Sequence, residues 1–398
     1  MRAFPVVRIL IVLCSAAAAA QTQTTVRPIK APEQPFPTEQ ETAGITRFSF
    51  IAYGDTRCDC AGGATERGAP PPPPRPEDQT EHGRVVDLAI AKAGALASSP
   101  YPVRFVLQTG DAVYRGMNAE RWNDAYVPIV EKLTRAGLWY FLAVGNHDLT
   151  TMPIGDVNRE AGLRNTFAAN ANLYPPEDSP RRLKGYPTFA FGYGNTFFIA
   201  FDSNIASDET QLAWVTHQLE QLDRRRYPNV IVFFHHPPFS SGPHGGAMRP
   251  TPDRRSVPDR TEPQTTAIRN LYLPLFRKHH VRMTLTGHDH LLDHWIEHYD
   301  DGGKAFRMDH VVTGGGGAPT YVYNGDPDLH AYEAAGAAQK VHLDHLMKPG
   351  ETNDQNPHHF VLIQVDGDRL YLEVFGTGPS EYKPYQGQSR IDLNDRAS

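Results

Sequence analysis

From Arg47 onward, short apolar runs alternate with stretches whose apolar residues recur every three or four positions. The runs predict buried strands at 47–52, 103–107, 139–144, 230–234 and 281–285. Helical spacing predicts helices at 82–98 (Val85, Val86, Leu88, Ala89, Ala93), 118–136, 209–225 and 265–279. Two further runs, 188–193 and 196–202, predict a hairpin turning at Gly194-Asn195. The last part predicts strands at 294–299, 306–313, 359–365 and 369–375, with an irregular insertion at 320–356. Residues 149–186 read as loop-rich and 240–263 as a long surface loop.

Five of these strands end at a polar donor: Asp55, Asp111, Asn146, His235 and His288. In layered α/β folds, sites gather beyond the carboxyl ends of strands, where a rigid sheet holds the loops. Strands that alternate with helices and then finish as hairpins predict an α/β fold, a four-layer α/β/β/α sandwich of two mixed sheets. The polar strand ends are therefore expected to converge.

The flanks differ in character. Arg2 and Arg8, the apolar run 9–13 and the alanines 16–20 predict a signal peptide over residues 1–20 and export to the periplasm or beyond. The apolar run is too short for a membrane span, so no stable span is expected after cleavage. Residues 21–44, polar and proline-containing, read as a linker, 45–376 as the folded domain and 377–398 as a tail. Prolines 70–74 mark an insertion within 57–80.

Charge narrows the function. The chain carries −6 at pH 7, and losing residues 1–20, with two arginines and no acids, takes it to −8. That argues against a polyanion-binding surface, so no nucleic-acid partner is expected. Of three cysteines only Cys58 and Cys60 remain after cleavage, too few for a disulfide scaffold. They form either a small strained disulfide or two loop thiols.

Each polar strand end is weak alone, because Asp or Asn after a glycine also makes ordinary turns. Their order is not weak. GDT (54–56), GDAVY (110–114), GNHD (145–148), VFFH (232–235) and GHDH (287–290) resemble the motif blocks of the calcineurin-like metallophosphoesterase superfamily. More narrowly they resemble its purple acid phosphatase-like branch, over roughly residues 45–300. The resemblance implies a dinuclear centre: Asp55, Asp111, Tyr114 and His290 on the first metal, with Asp111, Asn146, His235 and His288 on the second. Two ions bridged by one carboxylate can hold the attacking and leaving oxygens of a phosphoryl displacement.

Tyr114 carries the branch assignment. The superfamily usually has a histidine two residues after the first aspartate, where this chain has Arg57. A phenolate three residues after the bridging aspartate replaces it in the branch and favours a hard ion. The resemblance thus implies Fe(III) beside a divalent Fe, Zn or Mn. The branch itself usually has glycine at position 57, so Arg57 either crowds the metal or binds phosphate.

His147, beside Asn146, matches a substrate-facing histidine of the family, and Asp148 is a candidate to orient it. His244, nine residues after His235, matches a second pocket histidine. Either is a proton donor to a leaving alkoxide. His236 reads as support or core, and His279, His280, His294, His298, His342, His345, His358 and His359 as surface or packing residues. Gly314–Gly317 either lets backbone approach phosphate or is a plain loop, and Arg249, Arg254, Arg255 and Arg260 either cover the pocket or are solvated. The expected function is a secreted or periplasmic phosphomonoesterase, using a metal-bound hydroxide on a small phosphorylated substrate. The alternatives are a phosphodiesterase or nucleotidase with the same centre, and a non-catalytic phospho-ligand-binding protein on the same fold.

Overall fold

The computed structural model describes residues 25–57, 79–246 and 261–394. The signal segment, Cys58, Cys60, the proline run and Arg249, Arg254, Arg255 and Arg260 lie outside them.

Two mixed sheets form the middle layers. The six-stranded sheet has the order β13-β12-β11-β1-β2-β3, with β1 (Arg47–Tyr53), β2 (Val103–Gln108) and β3 (Trp139–Leu142) parallel. β11 (His359–Asp366), β12 (Arg369–Gly376) and β13 (Arg390–Asp392) continue it antiparallel. The seven-stranded sheet has the order β10-β8-β9-β7-β6-β5-β4. Its parallel centre is β5 (Thr196–Ala200), β6 (Asn229–Phe233), β7 (Met283–Thr286) and β9 (Lys304–Thr313). β4 (Phe189–Tyr193), β8 (Leu292–Asp301) and β10 (His342–Met347) are antiparallel additions.

Burial follows from residue type. β5 and β6 are buried along their whole length, as continuous apolar runs covered on both faces must be. Alternate residues serve different layers. Phe198 and Ile231 point between the sheets, where Phe48, Phe50, Phe105, Phe141 and Phe191 meet them. Phe197, Ile199, Val230 and Val232 face the other way, onto α5 (Glu209–Glu220) and the helical stretch from α6 (Pro263–Ala267) to α7 (Leu273–Lys278). On the opposite flank α1 (Thr80–Leu96) and α2 (Val127–Arg135) cover the first sheet with Val85, Val86, Ala89 and Val130. The four layers are those expected.

Four sequence expectations need correction. The stretch read as loop, which follows a short α3 (Asn146–Leu149), holds α4 (Val157–Ala169), whose Asp156 cap accepts from the N–H groups of Asn158 and Arg159. The irregular insertion contains α8 (His330–Ala335) and the edge strand β10, whose polar composition hid it. The tail supplies β13. The linker, from residue 25, is part of the fold. Ile29 is fully buried, its N–H bonds to the Ala169 carbonyl, and Phe36 packs edge-on against Phe105, Trp139, Phe141 and Phe191.

Candidate metal centre

The carboxyl ends of β1, β2 and β3 in one sheet and of β6 and β7 in the other open on one place. Backbone bonds lock these ends together: Asp55 N–H to the Gly110 carbonyl, Gly54 N–H to Thr313, and Gly287 N–H to His235. The motif glycines are sites of close approach. A Cβ at Gly145 would lie 2.2 Å from Asp111 Oδ1, and one at Gly287 would lie 2.2 Å from Asp55 Oδ2. Asp55, Asp111 and His288 all adopt left-handed backbone conformations (φ 58°, 55° and 71°), unusual for residues with a Cβ and common at functional sites.

Four of the predicted ligands form one cluster. His235 Nε2 lies 3.1 Å from His288 Nδ1, 2.9 Å from Asn146 Oδ1 and 3.4 Å from Asp111 Oδ1. The outer nitrogens of both imidazoles are committed. His235 Nδ1 donates to the Thr109 carbonyl at 3.0 Å, and His288 Nε2 donates to Glu262 at 2.9 Å. The inner nitrogens are therefore bare lone pairs facing each other beside two oxygens. Four acceptors so arranged suit a metal cation, and a second hydrogen bond on the far nitrogen is how metal-binding imidazoles are held. Burial depresses the pKa of His235 to about 3, which keeps the ring neutral for ligation.

The first site differs. His290 Nδ1 donates to the Pro319 carbonyl (2.8 Å), leaving Nε2 3.6 Å from Asp55 Oδ1. That carboxylate oxygen is buried with no hydrogen-bond partner. Burial, reinforced by the charge of Asp111, raises the Asp55 pKa. Burial also opposes charge on Asp111, but His235, His147 and Arg57 hold its pKa well below the carboxylate range. The donors suit a cation, yet one is present already. Arg57 Nε donates to Asp111 Oδ2 at 2.8 Å, and Nη2 donates to His290 Nε2 at 3.4 Å.

The remaining expected residues are distributed unevenly. The Tyr114 ring stacks on His147 (centroids 5.0 Å) and lies 5.6 Å from the Arg57 guanidinium carbon. Among the described residues, it is Arg57 that spans Asp111 and His290. His147 reaches the centre, with Nε2 3.9 Å from Asp111 Oδ2 and a pKa depressed to about 4, chiefly by burial. Asp148 does not orient it. Its oxygens accept the N–H groups of Gly145 (2.8 Å) and Val113 (3.1 Å), tying the loops after β2 and β3 together. Burial, with the charge of Asp111, pushes its pKa up to about 7. His244 packs 4.1 Å from His288, centroid to centroid, and its Nδ1 donates to Glu262 at 3.0 Å. Burial acts to lower its pKa, but Glu262 and Asp289 outweigh that and raise it.

His236 is a donor. Ser203 Oγ accepts the N–H groups of His235 and His236, so its own hydrogen goes to His236 Nδ1 (2.8 Å) and the ring proton sits on Nε2. Gly314–Gly317 serves close packing: Gly316 N–H bonds to the Gly54 carbonyl and Ala318 N–H to Asp55. His294 is buried between Asp309 and Tyr385, as a packing residue.

Sequence reading missed Glu262. It stands at the cap of α6, but its side chain makes no cap bond and turns to His244 and His288. No motif marks it; only its place before a proline at a helix start distinguishes it.

Carboxylate, amide and imidazole donors thus meet at strand ends of a four-layer sandwich, an arrangement suited to holding metal. The calcineurin-like phosphoesterase profile matches residues 84–292, and the chain belongs to that family. No curated protein sequence matches the chain. Among solved structures, the purple acid phosphatase PPD1 from yellow lupin (Lupinus luteus) seeds is similar at 16% identity and a TM-score of 0.53. The match covers 92% of this chain and 55% of that one, so the chain spans about half the lupin protein's length. GAP50, the anchor in the inner membrane complex of Plasmodium, is similar at 14% identity and a TM-score of 0.50, covering 89% of this chain and 90% of that one. At these identities the likeness is one of fold.

Proposed function

We propose that this protein is an exported, metal-dependent phosphoester hydrolase that acts on small phosphomonoesters. The observation that carries the proposal is the set of lone pairs on His235, His288, Asn146 and Asp111, aimed at one point. A metal bound there neutralises phosphoryl charge and lowers the pKa of water.

The protein's own groups do the rest. Asp111 keeps its Oδ1 on the backbone N–H of His147 (2.8 Å), which ties the two loops together. His147, partly exposed beside the centre and with its pKa depressed to about 4, is placed to hydrogen-bond a leaving oxygen and to pass it a proton in acid, where the ring is charged. His244, with its Nδ1 proton held on Glu262, packs its ring against the His288 imidazole at the edge of the same cluster. Export rests on the arginines and apolar run of residues 1–20. No helix among the described residues is long and apolar enough to cross a membrane.

The test is hydrolysis of a mono- and a diester of one chromogenic phenol by metal-replete protein, with His235→Ala as control. Monoester turnover abolished in the variant supports the proposal. Preference for the diester would assign a phosphodiesterase, and binding of phosphorylated ligands without turnover would assign a non-catalytic protein. The finer cofactor reading, Fe(III) held by Tyr114 beside divalent Fe, Zn or Mn, requires a visible tyrosinate band that Tyr114→Phe removes.

A further inference from the structure

We propose that Arg57 is a resident cation in the first site, so that the chain holds a single metal ion, at His235, His288, Asn146 and Asp111. The inference rests on the metal-dependent reading above and concerns how many ions serve it.

The guanidinium is built in. Its backbone is set by Arg57 N–H and Thr56 N–H on the Asp111 carbonyl and by Thr56 Oγ1 on the Ala112 carbonyl. Its head bonds Asp111 Oδ2 and His290 Nε2, two of the donors that a first-site ion needs. The Tyr114 ring covers it, as aromatic faces cover cations, and the side chain is only 15% exposed. Asp111 thereby divides its oxygens: Oδ1 faces the His235 cluster and Oδ2 faces Arg57. An ion among Asp55, Asp111 and His290 would lie within bonding distance of groups that already hold a guanidinium, and like charges that close in a dry site exclude each other.

The substitution also has a chemical use. Nη1 makes no bond among the described residues, leaving two N–H groups for a phosphoryl oxygen next to the metal. A divalent ion and a guanidinium, set against Asp55 and Asp111, leave one net positive charge, enough to attract a phosphate dianion. This arrangement is redox-inert at the first site and needs no tyrosinate–iron pair.

Elemental analysis decides it, on full-length protein reconstituted with Zn(II), Mn(II) or Fe and then desalted. The wild type is expected to hold about one ion per chain and to show no tyrosinate band. Arg57→Gly and Arg57→His are expected to raise this to about two. His235→Ala is expected to bring the wild type near zero, whereas Asp55→Asn leaves its metal content unchanged. Two ions per wild-type chain, one of them lost in Asp55→Asn, would overturn the inference while leaving the hydrolase reading intact. A wild type that binds no metal and hydrolyses no chromogenic phosphoester would defeat both.

Discussion

Glu262→Gln is the most informative perturbation of the centre. The carboxylate accepts two imidazole N–H groups, from His288 at 2.9 Å and His244 at 3.0 Å. Glutamine has nearly the same shape but one acceptor oxygen. If that oxygen stays on His244, the amide NH2 faces the His288 N–H, and the imidazole proton is driven from Nε2 to Nδ1. Nδ1 is the nitrogen that points at His235, so its lone pair is lost to the metal. If the oxygen stays on His288, a charge-assisted bond becomes a neutral one and the ligand loses basicity. Removing such a supporting partner weakens metal affinity about 10–100-fold, or roughly 1.4–2.7 kcal/mol. Competition of the variant and the wild type against a chromogenic chelator for Zn(II) measures this directly. The melting temperature of the metal-free proteins should hardly differ, because Glu262 is about one-third exposed. Equal metal affinities in the two proteins, with equal melting temperatures, would refute the claim that Glu262 sets the His288 tautomer.

Three further outcomes are expected. Arg159 and Asp202 form a buried ion pair whose Asp202 also holds Asn204, which in turn bonds the Gly145 carbonyl next to Asn146. Arg159→Met strands a buried carboxylate and should cost about 3–5 kcal/mol in urea unfolding, with weakened metal binding. Phe36→Ala should cost about 2–4 kcal/mol if the segment before β1 belongs to the core, and no measurable loss would restore the linker reading. His359 is buried, and burial lowers its folded pKa to about 4, below the unfolded value near 6.5. The unfolded chain therefore takes up the proton first. Stability is fully present above pH 6.5 and falls by up to about 1.4 kcal/mol per pH unit down to about pH 4. His359→Gln should flatten that part of the stability–pH curve, and an unchanged slope would discount the histidine.

The layers, and the side chains that meet at the strand ends, were legible in the chain for a physical reason. A buried parallel strand must be continuously apolar, and four of the five donors at the carboxyl ends, Asp55, Asp111, Asn146 and His288, follow a glycine that allows close approach, while His235 follows Phe234. Both features leave local marks, so β1, β2, β3, β6 and β7 and the donors Asp55, Asp111, Asn146, His235 and His288 could be read directly. β10 and β13 left none, since edge strands on a finished sheet can be polar. Ile29 and Phe36 look like linker residues until the aromatic core they complete is assembled.

What the amino-acid order alone determined was which side chains stand at the strand ends, and hence the donor chemistry available. Tertiary structure decided what each donor faces. Asp148 holds backbone and not His147, Arg57 bridges Asp111 to His290, which lies 233 residues after the arginine, and Glu262 fixes the proton of His288 from a stretch without motif. Such pairings depend on distances of about 3 Å between segments remote in sequence, and hydrogen bonding and ion pairing are set by those distances, which no local pattern encodes.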